Sequence, residues 1–359
     1  MPGLHDVLPS VAASLGVTGF EDVLALPRSP RYVLFVVDGL GADLLDTHAE
    51  LAPFLSGLER RDGVRSPVPS TTATSLTSLG TGREAGSHGV VGYTCREPAS
   101  GRRLNSLAWS DDVDPLQWQP HPTVLGQVAD AGVEAAVVND AAFENSGLTL
   151  CGQRGAAFHG IESLWARTDT VLDVVEAMAS GVVYAYESRL DHTGHRYGCG
   201  SAQWRETLAT IDADLADLHA ELPAGTTLVV TADHGMVDLP LEGRFDLEEL
   251  PALRDDVTLV AGEARFRHLY TRAGAEQDVA ERWRAVLGER ALVRTQDGLE
   301  DWFGPIEDRV RPRIGDVVVA ALGDFAVFSS RDFAIELHMV GFHGSVTDVE
   351  RSVPLLIAP

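Results

Sequence analysis

The chain has 359 residues and a mass of 38.5 kDa, enough for two domains at roughly 150 residues each or for one large domain carrying an insertion. With 45% hydrophobic and 23% charged residues, 35 Gly and 18 Pro, it has the composition of a soluble globular protein, which excludes disordered, collagenous and coiled-coil chains. The formal charge of -25 sets 53 acidic residues against 28 basic ones, every one of them Arg, so a nucleic-acid polymer or an anionic membrane is repelled and lysine chemistry is absent.

The N-terminal MPGLHDVLPSVAASLGVTGF lacks the basic and apolar regions of a signal peptide, and no apolar run reaches the length of a membrane span, so a cytoplasmic location is expected. Residues 31–37, RYVLFVV, form an apolar β-branched run that ends at Asp38-Gly39 and passes into the helical pattern ADLLDTHAELAPFLSGL. Residues 68–82, VPSTTATSLTSLGTG, then run a hydroxyl-rich turn into a helix-like stretch. Hydroxyls there are ordinary N-caps, but a helix N-terminus also offers free N–H groups and a positive dipole end to an alkoxide or a phosphate.

The strand-and-helix unit recurs as TVLGQVADAG with VEAAVVND, TVLDVVEAMASG with VVYAYES, and WRETLATIDADLADLHAEL with TTLVVTADHG. Helices alternating with short, wholly apolar strands predict an α/β fold, a mostly parallel central sheet with helices on both faces. Between residues 241 and 330 the rhythm changes to charged pieces such as EARFRHLYTRA and QDVAERWRAVLGE, and VPLLIA then resumes the apolar pattern. The expected organisation is a core of residues 1–240 and 331–359 with a smaller α+β cap inserted at 241–330. Cys95, Cys151 and Cys199 are too scattered for a disulfide framework and read as free thiols.

In such sheets chemistry collects beyond the carboxyl ends of the strands. Asp38 follows the first strand, Asp191 and His195 stand four apart in SRLDHTGH, Asp233 and His234 adjoin in ADHGM, and His343 lies in GFHG. Asp and neutral His are ligands for zinc and similar divalent ions, and an i, i+4 pair grips one ion from one helical face.

The run VVDGLGADLL, PSTTATSLTSLGTG with SHGVVGY, LDHTGH, ADHGM and FHG, in this order, resembles the type I phosphodiesterase/nucleotide pyrophosphatase branch of the alkaline phosphatase superfamily, over residues 32 to 358 apart from the insert. The resemblance implies two divalent metal ions, zinc or else manganese. One would be held by Asp38, Asp233 and His234, the other by Asp191, His195 and His343. It places the nucleophile at Thr72, bridging to the metal, with Thr71 the alternative if the register slips by one and Ser70 and Thr74 ranked lower. The family's phosphate-holding Asn after HGxxG is replaced by Tyr93, with Asn105 nearby as a substitute, and Ser75 departs from the family's Pro-Asn.

What the resemblance implies is hydrolysis of a small anionic phosphate ester, such as a nucleotide, through a phosphothreonine. Three ligand carboxylates against two divalent cations leave the centre near +1. Phosphonate hydrolysis, phosphomonoester hydrolysis and an inactive metal-binding relative are the rivals; the first would need Arg265, Arg267 or Arg272 to hold a carboxylate. Phe266, Tyr270 and Trp302 are expected as stacking surfaces in the cap or as its core. His88 is expected to fix a loop, His192 to point away from the metal-binding face, and His338 to support a ligand or be structural; Glu187 and Tyr186, at the end of a strand near Asp191, could line the pocket but are not counted as site residues.

Overall fold

The computed structural model describes residues 2–359. The run RYVLFVV becomes the strand Arg31–Val37, buried at every position but the first, because a strand without polar alternation needs cover on both faces. It lies parallel between Gly181–Glu187 and Thr226–Thr231, with Tyr32 opposite Val182 and Thr227. The full seven-stranded order is Glu59–Arg61, Leu355–Ala358, Thr226–Thr231, Arg31–Val37, Gly181–Glu187, Glu134–Asp140, Ala157–Ile161. Leu355–Ala358 runs antiparallel to Thr226–Thr231, so the sheet is parallel through its middle and changes sense near one edge.

The helices cover this sheet with apolar stripes. In Ala202–Glu221 the buried residues Trp204, Leu208, Ile211, Leu215 and Leu218 recur at helical spacing, and the Ser201 hydroxyl caps the start by accepting from Trp204 N at 3.1 Å. The long helical pattern after the first strand is broken into Ala42–Thr47, a 3-10 turn Ala49–Leu51, and Pro53–Gly57. Pro53 cannot donate within a continuing helix and instead starts the last piece, whose Phe54 and Leu55 N–H groups are capped by the Asp212 carboxylate at 3.1 and 2.8 Å. Among the described residues no helix is long and apolar enough to cross a membrane.

A second sheet is drawn from residues 257–321, with antiparallel order Val257–Glu263, Phe266–Thr271, Val317–Ala321, Ala291–Thr295. The helix Glu276–Leu287 packs Val279, Ala280, Trp283 and Leu287 into a core of its own. This unit is tied to the chain's C-terminal segment by a buried ion pair: Arg265 donates to Glu350 through Nε at 3.0 Å and Nη2 at 2.6 Å, both side chains fully buried. The same carboxylate accepts Ser345 N at 3.0 Å, two residues beyond His343.

Removing one partner of a buried, hydrogen-bonded pair leaves the other charge uncompensated. Arg265→Ala is expected to lower unfolding stability by about 3–5 kcal/mol in chemical denaturation, against less than about 1 kcal/mol for Arg272→Ala at an exposed pair.

Candidate active site

The six acid and imidazole residues that stand apart in sequence meet at the carboxyl ends of the central strands as two triads, Asp38 with Asp233 and His234, and Asp191 with His195 and His343; within each, the ligand atoms lie within 4.8 Å of one another. Asp38 follows Arg31–Val37, Asp233 follows Thr226–Thr231, and Asp191 and His195 sit one turn apart on the helix Arg189–Tyr197. Gly39 makes the turn after the first strand at φ +76°, and a Cβ there would lie 3.1 Å from the backbone of Asp191, so the loops can close only around glycine.

Each imidazole is oriented by a main-chain carbonyl. Nδ1 of His195 faces Gly341 O at 2.8 Å, that of His234 faces Gly235 O at 3.2 Å, and that of His343 faces Ser70 O at 3.0 Å. A carbonyl only accepts, so these partners assign the proton to Nδ1 and leave every Nε2 with a bare lone pair. Two such lone pairs, on His195 and His343, face each other at 3.2 Å. The carboxylates repeat the pattern. Gly39 and His234 N–H groups donate to Asp233 Oδ1 at 3.1 and 3.0 Å and the Tyr186 hydroxyl donates to Asp38 Oδ2. Oδ1 of Asp38, Oδ1 of Asp191 and Oδ2 of Asp233 are buried without a hydrogen-bond partner.

Acceptors converging without donors are the arrangement a divalent cation completes, and Asp and His suit zinc or manganese. Burial, then the charges of Asp233 and Asp191, hold the Asp38 carboxyl well above the usual range, and burial holds His343 well below it. The rings of His234 and His343 stack at 3.6 Å and 13°, so the triads share a wall.

Thr72 opens the helix Thr72–Thr81, with Thr71 extended at its N-cap, and its Oγ1 lies 3.1 Å from His234 Nε2. Thr72 and Thr71 both line a cavity of about 390 Å³. Ser70 instead turns its hydroxyl to Ser345 O at 2.7 Å, Thr74 is buried in the helix, and Ser75 bonds Ser66 Oγ at 2.9 Å. Tyr93 reaches the cavity; Asn105 does not line it, and donates from Nδ2 to the Tyr93 hydroxyl at 3.0 Å.

The structure places the remaining candidates as follows. Arg265 is held by Glu350, Arg267 by Glu336, and Arg272 lies away from the cavity beside Asp256, so none lines the cavity. Phe266 and Tyr270 are fully buried and Trp302 packs on Phe266, so the three belong to the interior; the cavity's aromatics are Tyr93, Phe143, Tyr186 and Phe342. His192 lines the rim without joining either triad, whereas His88 is buried between Ser78 Oγ at 2.9 Å and Val90 N at 3.1 Å. Glu187 is buried in ion pairs with Arg167 and Arg189, and His338 is exposed.

Tyr186 is the residue sequence reasoning passed over, and its place at the carboxyl end of a strand beside Asp191 was the available signal. Glu263 and Glu336 also line the cavity; burial pushes Glu263 up to about 8. No sequence signal brings those two together.

Residues 32–346 match the family model described as type I phosphodiesterase / nucleotide pyrophosphatase. The chain belongs to that family. It is therefore placed among phosphoester hydrolases that depend on metal ions, and the two triads are its candidate metal sites. Similar solved structures include murine ectonucleotide pyrophosphatase / phosphodiesterase 5, at 16% identity and TM-score 0.69 over 91% of this chain and 87% of that one. The human counterpart aligns at 18% identity and TM-score 0.67 over 91% and 87%. Phosphonoacetate hydrolase from Sinorhizobium meliloti 1021, in complex with phosphonoacetate, aligns at 20% identity and TM-score 0.70 over 90% and 89%. At these identities the likenesses show a shared fold.

Elemental analysis of protein dialysed against zinc is expected to find two ions per chain, and one in Asp191→Ala. Because the coordinating imidazoles must be deprotonated, zinc affinity measured by competition should fall as the pH is lowered.

Proposed function

We propose that the chain is a two-metal hydrolase of phosphodiester or pyrophosphate bonds that works through a phosphothreonine at Thr72. The observation that carries this reading is the position of Thr72 Oγ1, at a helix N-terminus and 3.1 Å from a ligand nitrogen of the first triad. Bound at the two triads, divalent cations would supply a lowered hydroxyl pKa and positive charge for the phosphoryl oxygens.

The chain's own residues do the rest. Thr72 Oγ1 gives up its proton to solvent and attacks phosphorus in line: the Oγ1–P bond forms, the bond to the leaving alcohol or phosphate breaks, and the leaving oxygen takes up a proton from solvent. Water then attacks the phosphothreonine from the opposite side, the Oγ1–P bond breaks and a proton returns to Oγ1, giving net retention at phosphorus. The first turn of Thr72–Thr81 points its unpaired N–H groups and positive dipole end at the same place. Tyr93 takes the part of the family's Asn: its hydroxyl accepts from Asn105, which leaves its own proton free for a phosphoryl oxygen. An inactive variant of the murine relative, bearing an alanine for a threonine, is described in complex with AMP, which supports both the nucleophile and a nucleotide-sized substrate.

A phosphonate substrate with a carboxylate is disfavoured. No Arg lines the cavity among the described residues and the chain has no Lys, so Glu263 and Glu336 would confront that carboxylate. The same absence of a third cation disfavours a monoester dianion relative to a diester monoanion.

Thr72→Ala is expected to lower kcat by at least about 1,000-fold while both metals stay bound, and an acid quench of the wild type should trap a phosphorylated peptide spanning residues 66–83. Retained activity in Thr72→Ala with loss in Thr71→Ala would move the nucleophile by one residue. Chelation should abolish turnover and zinc or manganese restore it. Tyr93→Phe should reduce kcat/KM roughly tenfold to a hundredfold, the worth of one hydrogen bond to a charged group. The ratio of kcat/KM for a bis-aryl diester to that for the matching monoester should exceed one.

A further inference from the structure

The wall of the cavity beside the second sheet holds two carboxyl groups for which phosphoryl transfer has no use. Glu263 ends the strand Val257–Glu263 and Glu336 lies in the turn Ala334–His338; both line the cavity, and they are 8% and 5% exposed. On each, Oε1 is buried without a hydrogen-bond partner. Arg267 is the neighbouring cation; its Nη2 donates to Glu336 Oε2 and its Nε to Val327 O at 2.9 Å, and its Nη1 is buried without a partner. The Glu263 carboxyl is held close against Gly344, where a Cβ would lie 2.7 Å from its Cδ. At the cavity mouth Leu107, Phe143 and Ile335 present 47%, 41% and 65% of their surface.

A buried acceptor left without a donor costs about 1–3 kcal/mol, and a carboxyl group accepts through its carbonyl oxygen whether or not it carries a proton. Two such acceptors on the wall of a cavity that, among the described residues, no Arg lines are open to donors that the ligand brings. We propose that Glu263 and Glu336 seat the substrate's second ester group, an alcohol bearing a hydroxyl or ammonium donor and no negative charge. The apolar mouth admits the body of that alcohol, and a further phosphate or carboxylate on it is refused. This inference rests on the diester-hydrolase reading above.

The test uses the metal-loaded full chain and three p-nitrophenyl phosphodiesters whose second group is 2-aminoethyl, propyl or 2-carboxyethyl. All three release p-nitrophenolate, so their kcat/KM values differ only through the second group. The expected order is aminoethyl, propyl, carboxyethyl, with at least a hundredfold between first and last. In Glu263→Met the aminoethyl-to-propyl ratio should fall at least tenfold; being a ratio within one preparation, it is independent of the folded fraction. A wild-type aminoethyl-to-carboxyethyl ratio near or below one, or an aminoethyl-to-propyl ratio unmoved by Glu263→Met, overturns the seat while the hydrolase reading stands. Failure to cleave any of the three refutes the hydrolase reading, and the seat falls with it.

Discussion

The structure is organised around three carboxylates that cannot share one small buried volume unaided. Asp38, Asp191 and Asp233 each keep an oxygen buried and unpartnered, and the imidazoles beside them turn lone pairs, not protons, toward the same space. In a low-dielectric interior, like charges this close drive protons back onto the carboxyl groups unless cations intervene. The parallel strands deliver the acids to one rim, main-chain carbonyls fix the tautomers, and Gly39 lets the loops close to ligand distance. A helix N-terminus then places a hydroxyl at the edge of this cluster of candidate ligands.

That cluster sits within a protein of net charge -25. Salt screens exposed charges beyond about 8 Å at physiological ionic strength, so the overall charge has little say at the phosphorus, where the local arrangement decides. The cavity therefore divides into a floor of candidate metal ligands and a wall that carries Glu263 and the ion-paired Glu336. Specificity then follows from where charge is absent as much as from where it is present.

The central architecture was legible because its strands are unbroken apolar runs and its ligands fall directly after them. Arg31–Val37, Gly181–Glu187 and Thr226–Thr231 needed no tertiary knowledge, and neither did the i, i+4 pair Asp191 and His195. The second sheet was harder to read. In ARFRHLY, alternation suggests Arg on the wet face and Phe on the dry one, yet Arg265, Phe266 and Arg267 are all buried. The arginines are admitted to the interior by Glu350 and Glu336, which lie 85 and 69 residues away in the chain, a distance over which local pattern carries no information. Glu263 and Glu336 escaped for the same reason: their surroundings are made by segments that meet only in the folded molecule.

The Arg265–Glu350 pair joins the second sheet to the segment that carries His343, through a carboxylate that also holds Ser345 N. A second sheet anchored in this way is not an interchangeable module. Exchanging it for the corresponding piece of a relative would strand Glu350 and loosen the loop behind His343, so the cavity wall and one candidate metal triad are inherited together. Divergence of specificity in this chain is therefore expected to proceed by substitutions along the cavity wall, with the anchoring pair kept in place.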